Sequence, residues 1–158
     1  MTKTSIILDV DTGVDDAFAV LFAARHPDIN LLGITCVDGN TNVDQVVANT
    51  FKVLDAAGAG DIPVARGAVK PLLGKSQYAE YVHGADCMGD LGIAPSARKV
   101  DSRSAVELLR DLIEQSKEPV TIVPLAPLTN IALFLRAFPE TAKKVHLIVL
   151  MGGSASAG

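Results

Sequence analysis

The chain alternates short apolar runs with segments of helical period. Ser5 to Val10 reads S-I-I-L-D-V, a β-branched run interrupted only by Asp9, which suits a strand buried on both faces of a parallel sheet. From Asp15 to His26 the period changes: Ala19, Leu21, Phe22 and Ala23 recur at helical spacing, and Pro27 stops the pattern. Leu31 to Val37 reads as the next strand, Val43 to Ala57 as a helix ended by Gly58 and Gly60, and Ile62 to Ala65 as a third short strand. After Lys99 the order resumes with a helix over Ser102 to Ser116, for which Ser102 or Ser104 is the N-cap. A strand over Val120 to Val123, a helix over Leu128 to Ala137 closed by Pro139, and a last strand over Val145 to Leu150 follow. This βαβαβ alternation predicts an α/β fold: a mostly parallel, doubly wound, Rossmann-like sheet with helices on both faces.

Two segments depart from the alternation. Between Arg66 and Lys99 periodicity fails while Gly, Pro and polar residues accumulate, and an ordered loop of that length is often functional. Met151 to Gly158, M-G-G-S-A-S-A-G, follows a strong strand pattern with no helix to cover it. The expectation is a single α/β domain over residues 1–158 that is the front part of a longer fold, or one that another chain completes.

Composition narrows the class. With 158 residues, 49% of them hydrophobic and 20% charged, the chain can bury a core and is too short for two full domains. Its formal net charge is −4, and its Lys and Arg residues are scattered without a basic stripe, which argues against a nucleic-acid polymer as partner. Cys36 and Cys87 lie far apart with no paired spacing, so no disulfide framework or zinc site is suggested, and a reducing cytoplasm fits best. No apolar run reaches the roughly 20 residues that span a bilayer, so no membrane partner is expected.

The candidate chemistry lies in Asp9-Val10-Asp11-Thr12-Gly13-Val14-Asp15-Asp16. Side chains two apart on a strand share a face, so Asp9 and Asp11 are expected to emerge together at the carboxyl end of the first strand. Gly13 permits a sharp turn, and Asp15 and Asp16 fall in the first helical turn. Four carboxylates would then converge where an open α/β sheet binds ligands, and a helix dipole offsets only about 0.3–1 kcal/mol per charge. A cation relieves the remainder. The donors are all hard oxygens without His or Cys nearby, which favours Ca²⁺ or Mg²⁺ over Zn²⁺. A lone Asp here is often a cap, but capping uses one or two such residues.

I-L-D-V-D-T-G-V-D-D-A resembles the N-terminal signature of the nucleoside hydrolases of the inosine-uridine type. V-D-G-N at Val37 to Asn40, H-G-A-D at His83 to Asp86, P-L-A-P-L-T-N-I-A at Pro124 to Ala132 and L-M-G-G at Leu150 to Gly153 agree in order and spacing. The resemblance implies an N-glycosidase of nucleoside metabolism and salvage that splits a small-molecule ribonucleoside into base and ribose. It implies Ca²⁺ as cofactor, bound by Asp11, Asp16 and the carbonyl of Leu125, with Asp11 as general base toward an activated water. It also implies that Asp15 and Asn40 hydrogen-bond the ribose hydroxyls, that Met151 lines the sugar pocket, that His83 lies near the base, and that the protein is a homo-oligomer. Two positions depart from the family pattern: Thr12 replaces a proline, and Cys87 replaces a glycine after H-G-x-D, which bears on the conformation of that loop.

Blander roles stand beside these. Asn40 after Gly39 suits a turn, His83 suits loop pinning, Thr129 and Asn130 suit helix caps, and Cys36 suits an inert core position. The second half of a family chain carries a further Asp ligand and an Asn and Glu pair that grips ribose, so a chain ending at Gly158 is expected to be weakly active or inactive. A non-catalytic remnant or interaction module, pairing through an open sheet edge, is the alternative. D-V-D-T also resembles the D-x-D-x-T motif of haloacid-dehalogenase-type phosphatases, in which Asp9 would be the nucleophile, Mg²⁺ the cofactor and Thr35 the phosphate-binding hydroxyl.

Overall fold

Strand alternation sorts the first apolar run onto two faces. In the computed structural model, which describes residues 3–153 and 155–156, β1 (Thr4–Val10) sends Ile6, Leu8 and Val10 to one side and Ile7 to the other. The first side packs on α1 (Val14–Arg25) and α2 (Val43–Ala56) through Val20, Ala23, Val46 and Leu54. The second packs on α4 (Ala105–Gln115) and α5 (Thr129–Ala137) through Leu109, Ile113, Ile131 and Phe134. Both strand faces are dry, which is why the strand reads as a nearly continuous apolar run.

The remaining strands are β2 (Ile29–Cys36), β3 (Val64–Arg66), β4 (Val120–Pro124) and β5 (Val145–Ile148), and the sheet order is β3-β2-β1-β4-β5 with every neighbouring pair parallel. The chain leaves β1 toward β2 and β3, then returns across the sheet to β4 and β5. The strand order therefore reverses between β1 and β4, and their carboxyl ends open a crevice there.

The predicted elements are present with shifted ends. Ser104 rather than Ser102 caps α4: its hydroxyl accepts the Glu107 N–H while the Glu107 carboxylate accepts the Ser104 N–H. Strand β5 stops at Ile148, two residues earlier than its apolar run suggests. The chain still follows β4, because Val149 N–H donates to the Ile122 carbonyl and Met151 N–H to the Pro124 carbonyl, each at 3.0 Å. Two short helices escape the sequence pattern, α3 (Glu80–His83) inside the long loop and α6 (Pro139–Ala142), which Pro139 opens. The long loop is anchored at its end and in its interior. Arg98 donates to the Ala59 and Gly60 carbonyls and to Asp55, and Asn49 on α2 donates to the Asp86 carbonyl at 2.9 Å.

Cys87 has a φ of 56°, so it occupies the left-handed region that favours glycine. The family resemblance implies glycine at this position, and burial of the thiol accompanies the strained backbone. No helix among the described residues is long and apolar enough to cross a membrane.

Candidate active site

Three chain segments meet at the crevice between β1 and β4. The turn after β1 brings Asp11, the first turn of α1 brings Asp15 and Asp16, and the segment after β4 brings Leu125 to Leu128. Asp11, Asp15 and Leu125 to Leu128 border a cavity of about 440 Å³ whose far wall is Leu150 to Gly153, delivered by the extended segment beyond β5; Asp16 is not among its lining residues. Asp11, Asp15, Asn40, Leu125 and Met151 all line it.

Asp11 and Asp16 are both buried, and their carboxylates are in hydrogen-bonding contact. Both are held above the usual carboxylate range. Burial is the largest cause for each; for Asp16 the hydrogen bond to Asp11 and the charge of Asp11 add to it. Burial and mutual repulsion therefore disfavour a second negative charge on the pair. The charged form of Asp11 is also favoured by the Asn40 N–H, which donates to Oδ2 at 2.8 Å.

Asn40 owes its place to the turn before it. A Cβ at Gly39 would overlap the Asp11 carboxylate, so only glycine lets the β2–α2 turn come this close. The Asn40 side chain then reaches the Asp11 carbonyl at 3.3 Å, and the same turn is held from outside by Ser76 and Tyr78, whose hydroxyls donate to Asp38 at 2.5 and 3.2 Å. Thr12 turns inward to Thr50 at 2.7 Å, which ties the acidic turn to α2.

Asp15 projects into solvent at the rim. His83 lies beside it: its Nδ1 accepts the Val14 N–H at 3.4 Å, its Nε2 is 4.0 Å from Asp15 Oδ1, and its ring covers Gly13. Thus His83 borders the first turn of α1 and is not among the residues that line the cavity.

Asp9 does not join the acidic cluster. Alternation places it on the Ile7 side of β1, facing α5, whereas Asp11 lies beyond the strand end and is free of that alternation. The Asp9 carboxylate is fully buried. Its Oδ1 accepts from the Thr35 hydroxyl at 2.6 Å and from Asn130 Nδ2 at 2.8 Å, and burial pushes its pKa up to about 7 against those two hydrogen bonds. Two carboxylates, Asp11 and Asp15, therefore border the cavity, and Asp16 is buried against Asp11.

The same burial overturns the phosphatase reading. A nucleophilic Asp9 would have to reach a phosphorus atom, yet it has no exposed surface, and the Thr35 hydroxyl is already spent on Asp9. The capping role of Asn130 is also corrected. Leu128 is the N-cap of α5, and the Asn130 side chain instead crosses the sheet ends to Asp9, Cys36 and Ala68. The sequence signal for this was present: Asn130 lies two residues past the Leu128 cap, too deep in the helix to cap it. Cys36 is an inert core residue as expected, its thiol pushed up to about 12 by burial.

The donor set fits a hard divalent cation. Asp16 Oδ2 is buried with no hydrogen-bond partner among the described residues, and its neighbour Asp11 is a second carboxylate in direct contact. Leu125 borders the same cavity, and a main-chain carbonyl is a hard oxygen donor of the kind such a cation takes. Among the described residues no group of three or more His, Cys, Asp or Glu side chains is arranged to hold a metal.

The sequence model of the family described as inosine-uridine preferring nucleoside hydrolase matches residues 6–158. The chain is 43% identical over 153 residues to the pyrimidine-specific ribonucleoside hydrolase RihA of Shewanella sp. (strain MR-7), covering 97% of this chain and 48% of that one. It is 44% identical over 156 residues to the inosine-uridine preferring nucleoside hydrolase of Leishmania major, covering 97% and 49%. Among solved structures, the purine-preferring ribonucleoside hydrolase from Gardnerella vaginalis superposes with a TM-score of 0.89 at 35% identity, over 96% of this chain and 49% of that one. The chain thus spans about half the length of the curated relatives it matches.

Proposed function

Because the chain belongs to the inosine-uridine preferring nucleoside hydrolase family, we propose that it carries the cation- and ribose-binding part of a site that hydrolyses the N-glycosidic bond of a ribonucleoside to free base and ribose. One observation carries this reading: Asp11, buried against Asp16, lines the same cavity as Asp15, Asn40 and Met151. The proposed cation is Ca²⁺, held by Asp11, Asp16 and the Leu125 carbonyl, and when bound it supplies a lowered pKa for the attacking water and a fixed orientation for it.

The chain's own groups divide the remaining work. Asp11, oriented by the Asn40 N–H, takes the proton of the water as general base. Asp15 and the Asn40 amide hydrogen-bond the ribose hydroxyls from the rim, and the Met151 thioether packs against the sugar. Glycoside cleavage passes through a cation-like sugar, and carboxylates beside it stabilise the developing positive charge. His83 is assigned to the base side of the site, next to Asp15. The relatives' names point to pyrimidine, inosine-uridine and purine preferences, so ribose is the feature their substrates share. The free, buried Cys36 and Cys87 accord with a reducing compartment, and we assign the protein to the cytoplasm.

The test is ribose release from inosine and uridine with Ca²⁺, for the chain and for Asp11→Ala. Release by the chain that falls by about 100-fold in the variant supports the reading. Equal rates remove Asp11 from the mechanism, and no release by the chain itself refutes catalysis by this polypeptide.

A second reading, a non-catalytic interaction module, is favoured by the outermost strand. Leu147, and Val149 and Leu150 just beyond β5, are each about half exposed along an edge with no neighbouring strand among the described residues, and self-association there would make a homo-oligomer. Sedimentation velocity decides: a monomer at micromolar concentration refutes self-association.

A further inference from the structure

The buried amide of Asn130 ties together the ends of three elements. Its Nδ2 donates to Asp9 Oδ1 at 2.8 Å and to the Cys36 carbonyl at 3.0 Å, and its Oδ1 accepts the Ala68 N–H at 2.9 Å. Both donor hydrogens and the acceptor are used. The amide orientation is unambiguous, because a flip would set its oxygen against a carboxylate and a carbonyl. Gly67 is shaped around it: a Cβ there would overlap the Asn130 amide and the Cys36 carbonyl.

From two of these partners a further bond runs to the candidate site. The Asp9 carbonyl accepts the Leu125 N–H at 2.8 Å. The Ala68 carbonyl accepts the Asp38 N–H at 3.0 Å, and Asp38 opens the turn in which the Asn40 N–H binds Asp11 Oδ2. One side chain on α5 is therefore linked, through a single intermediary on one side and a short relay on the other, to both Leu125 and Asp11.

We propose that Asn130 is a positioning residue: through Asp9 and Ala68 it sets the separation between the Leu125 main chain and the Asp11 turn, and so the size of the gap they share. The importance of that gap for a cation rests on the function proposed above; the coupling itself does not. A role confined to helix capping would leave both distant amides untouched, and a role confined to general stability would loosen the whole chain evenly.

Amide hydrogen exchange by NMR separates these cases, on the chain without metal, for Asn130→Asp and for Gly67→Ala. The first keeps size and the acceptor for Ala68 but removes both donors; the second presses on the same amide from outside. Exchange at Leu125 and Asn40 is expected to speed up by roughly tenfold or more in each folded variant, the change that losing about one buried hydrogen bond produces. Exchange at Ile7 and Leu109, in the core, is expected to stay near wild type. Unchanged Leu125 and Asn40 amides overturn the proposal, as does an equal rise at Ile7 and Leu109. If Asn130→Asp does not fold, Gly67→Ala carries the same comparison. A parallel Ca²⁺ titration by calorimetry keeps the two readings apart: absence of binding by the unmodified chain counts against the proposed function, while the exchange pattern still decides the role of Asn130.

Discussion

Replacing Asp16 by asparagine should stabilise the metal-free protein while abolishing its response to Ca²⁺. Asp16 is 3% exposed, touches Asp11, and leaves Oδ2 without a partner among the described residues. Its pKa is raised on folding, so the folded chain retains a proton that the unfolded chain gives up. Its contribution is then a penalty that grows as pH rises from the unfolded carboxylate value, about 3.9, toward the folded one. At about 1.4 kcal/mol per pH unit, a carboxyl kept protonated to pH 7 sets a ceiling of about 4 kcal/mol on that penalty.

The amide introduced by Asp16→Asn would donate to Asp11 at every pH without a proton being taken up. It would still leave a buried polar atom unpaired, at a cost of about 1–3 kcal/mol, so a net gain of about 2 kcal/mol is expected. For a chain of this size that corresponds to a rise of about 4–8 °C in Tm. Thermal melts from pH 5 to 8, without metal, should show wild-type stability falling with pH and a flatter profile for Asp16→Asn. With Ca²⁺ at a hundred times its Kd, the wild type should gain about 2.7 kcal/mol and the variant none. A variant that melts below the wild type at pH 8 without metal, or gains as much from Ca²⁺, would refute the reasoning.

Two further substitutions probe the surroundings of that pair. Gly39→Ala places a methyl group on the Asp11 carboxylate; the metal-free protein should lose about 1–3 kcal/mol, and calorimetric Ca²⁺ binding should disappear with the fold intact by circular dichroism. Ser104→Ala breaks the capping box of α4, far from the acidic turn; it should lower stability by about 1 kcal/mol in urea melts and leave Ca²⁺ affinity unchanged, so an altered affinity would mean that α4 bears on the site.

The local pattern determined most of the fold. Apolar runs such as Ser5 to Val10 and helical repeats such as that of α1 depend on neighbours a few residues away, so strands, helices and their alternation were readable to within a few residues. The acidic turn was readable for the same reason: Asp11, Gly13, Asp15 and Asp16 are close enough in sequence that one turn brings the three carboxylates to one place. Ser104, Glu107 and their reciprocal bonds were likewise local, and only the choice between two serines was left open.

What only the tertiary structure decided concerns groups that meet across the sheet. Strand alternation continues to Asp9 and stops before Asp11, a boundary of one residue that sends the first carboxylate to α5 and the second to the cavity. Asn130 finds Asp9 at a sequence separation of 121 residues, and no helical periodicity encodes that encounter. Gly39 and Gly67 read as ordinary turn glycines until the Asp11 carboxylate and the Asn130 amide are seen filling the space where a side chain would stand. Short-range preferences fix which element a residue joins; excluded volume and the pairing of buried polar groups, which act between elements, fix what it touches.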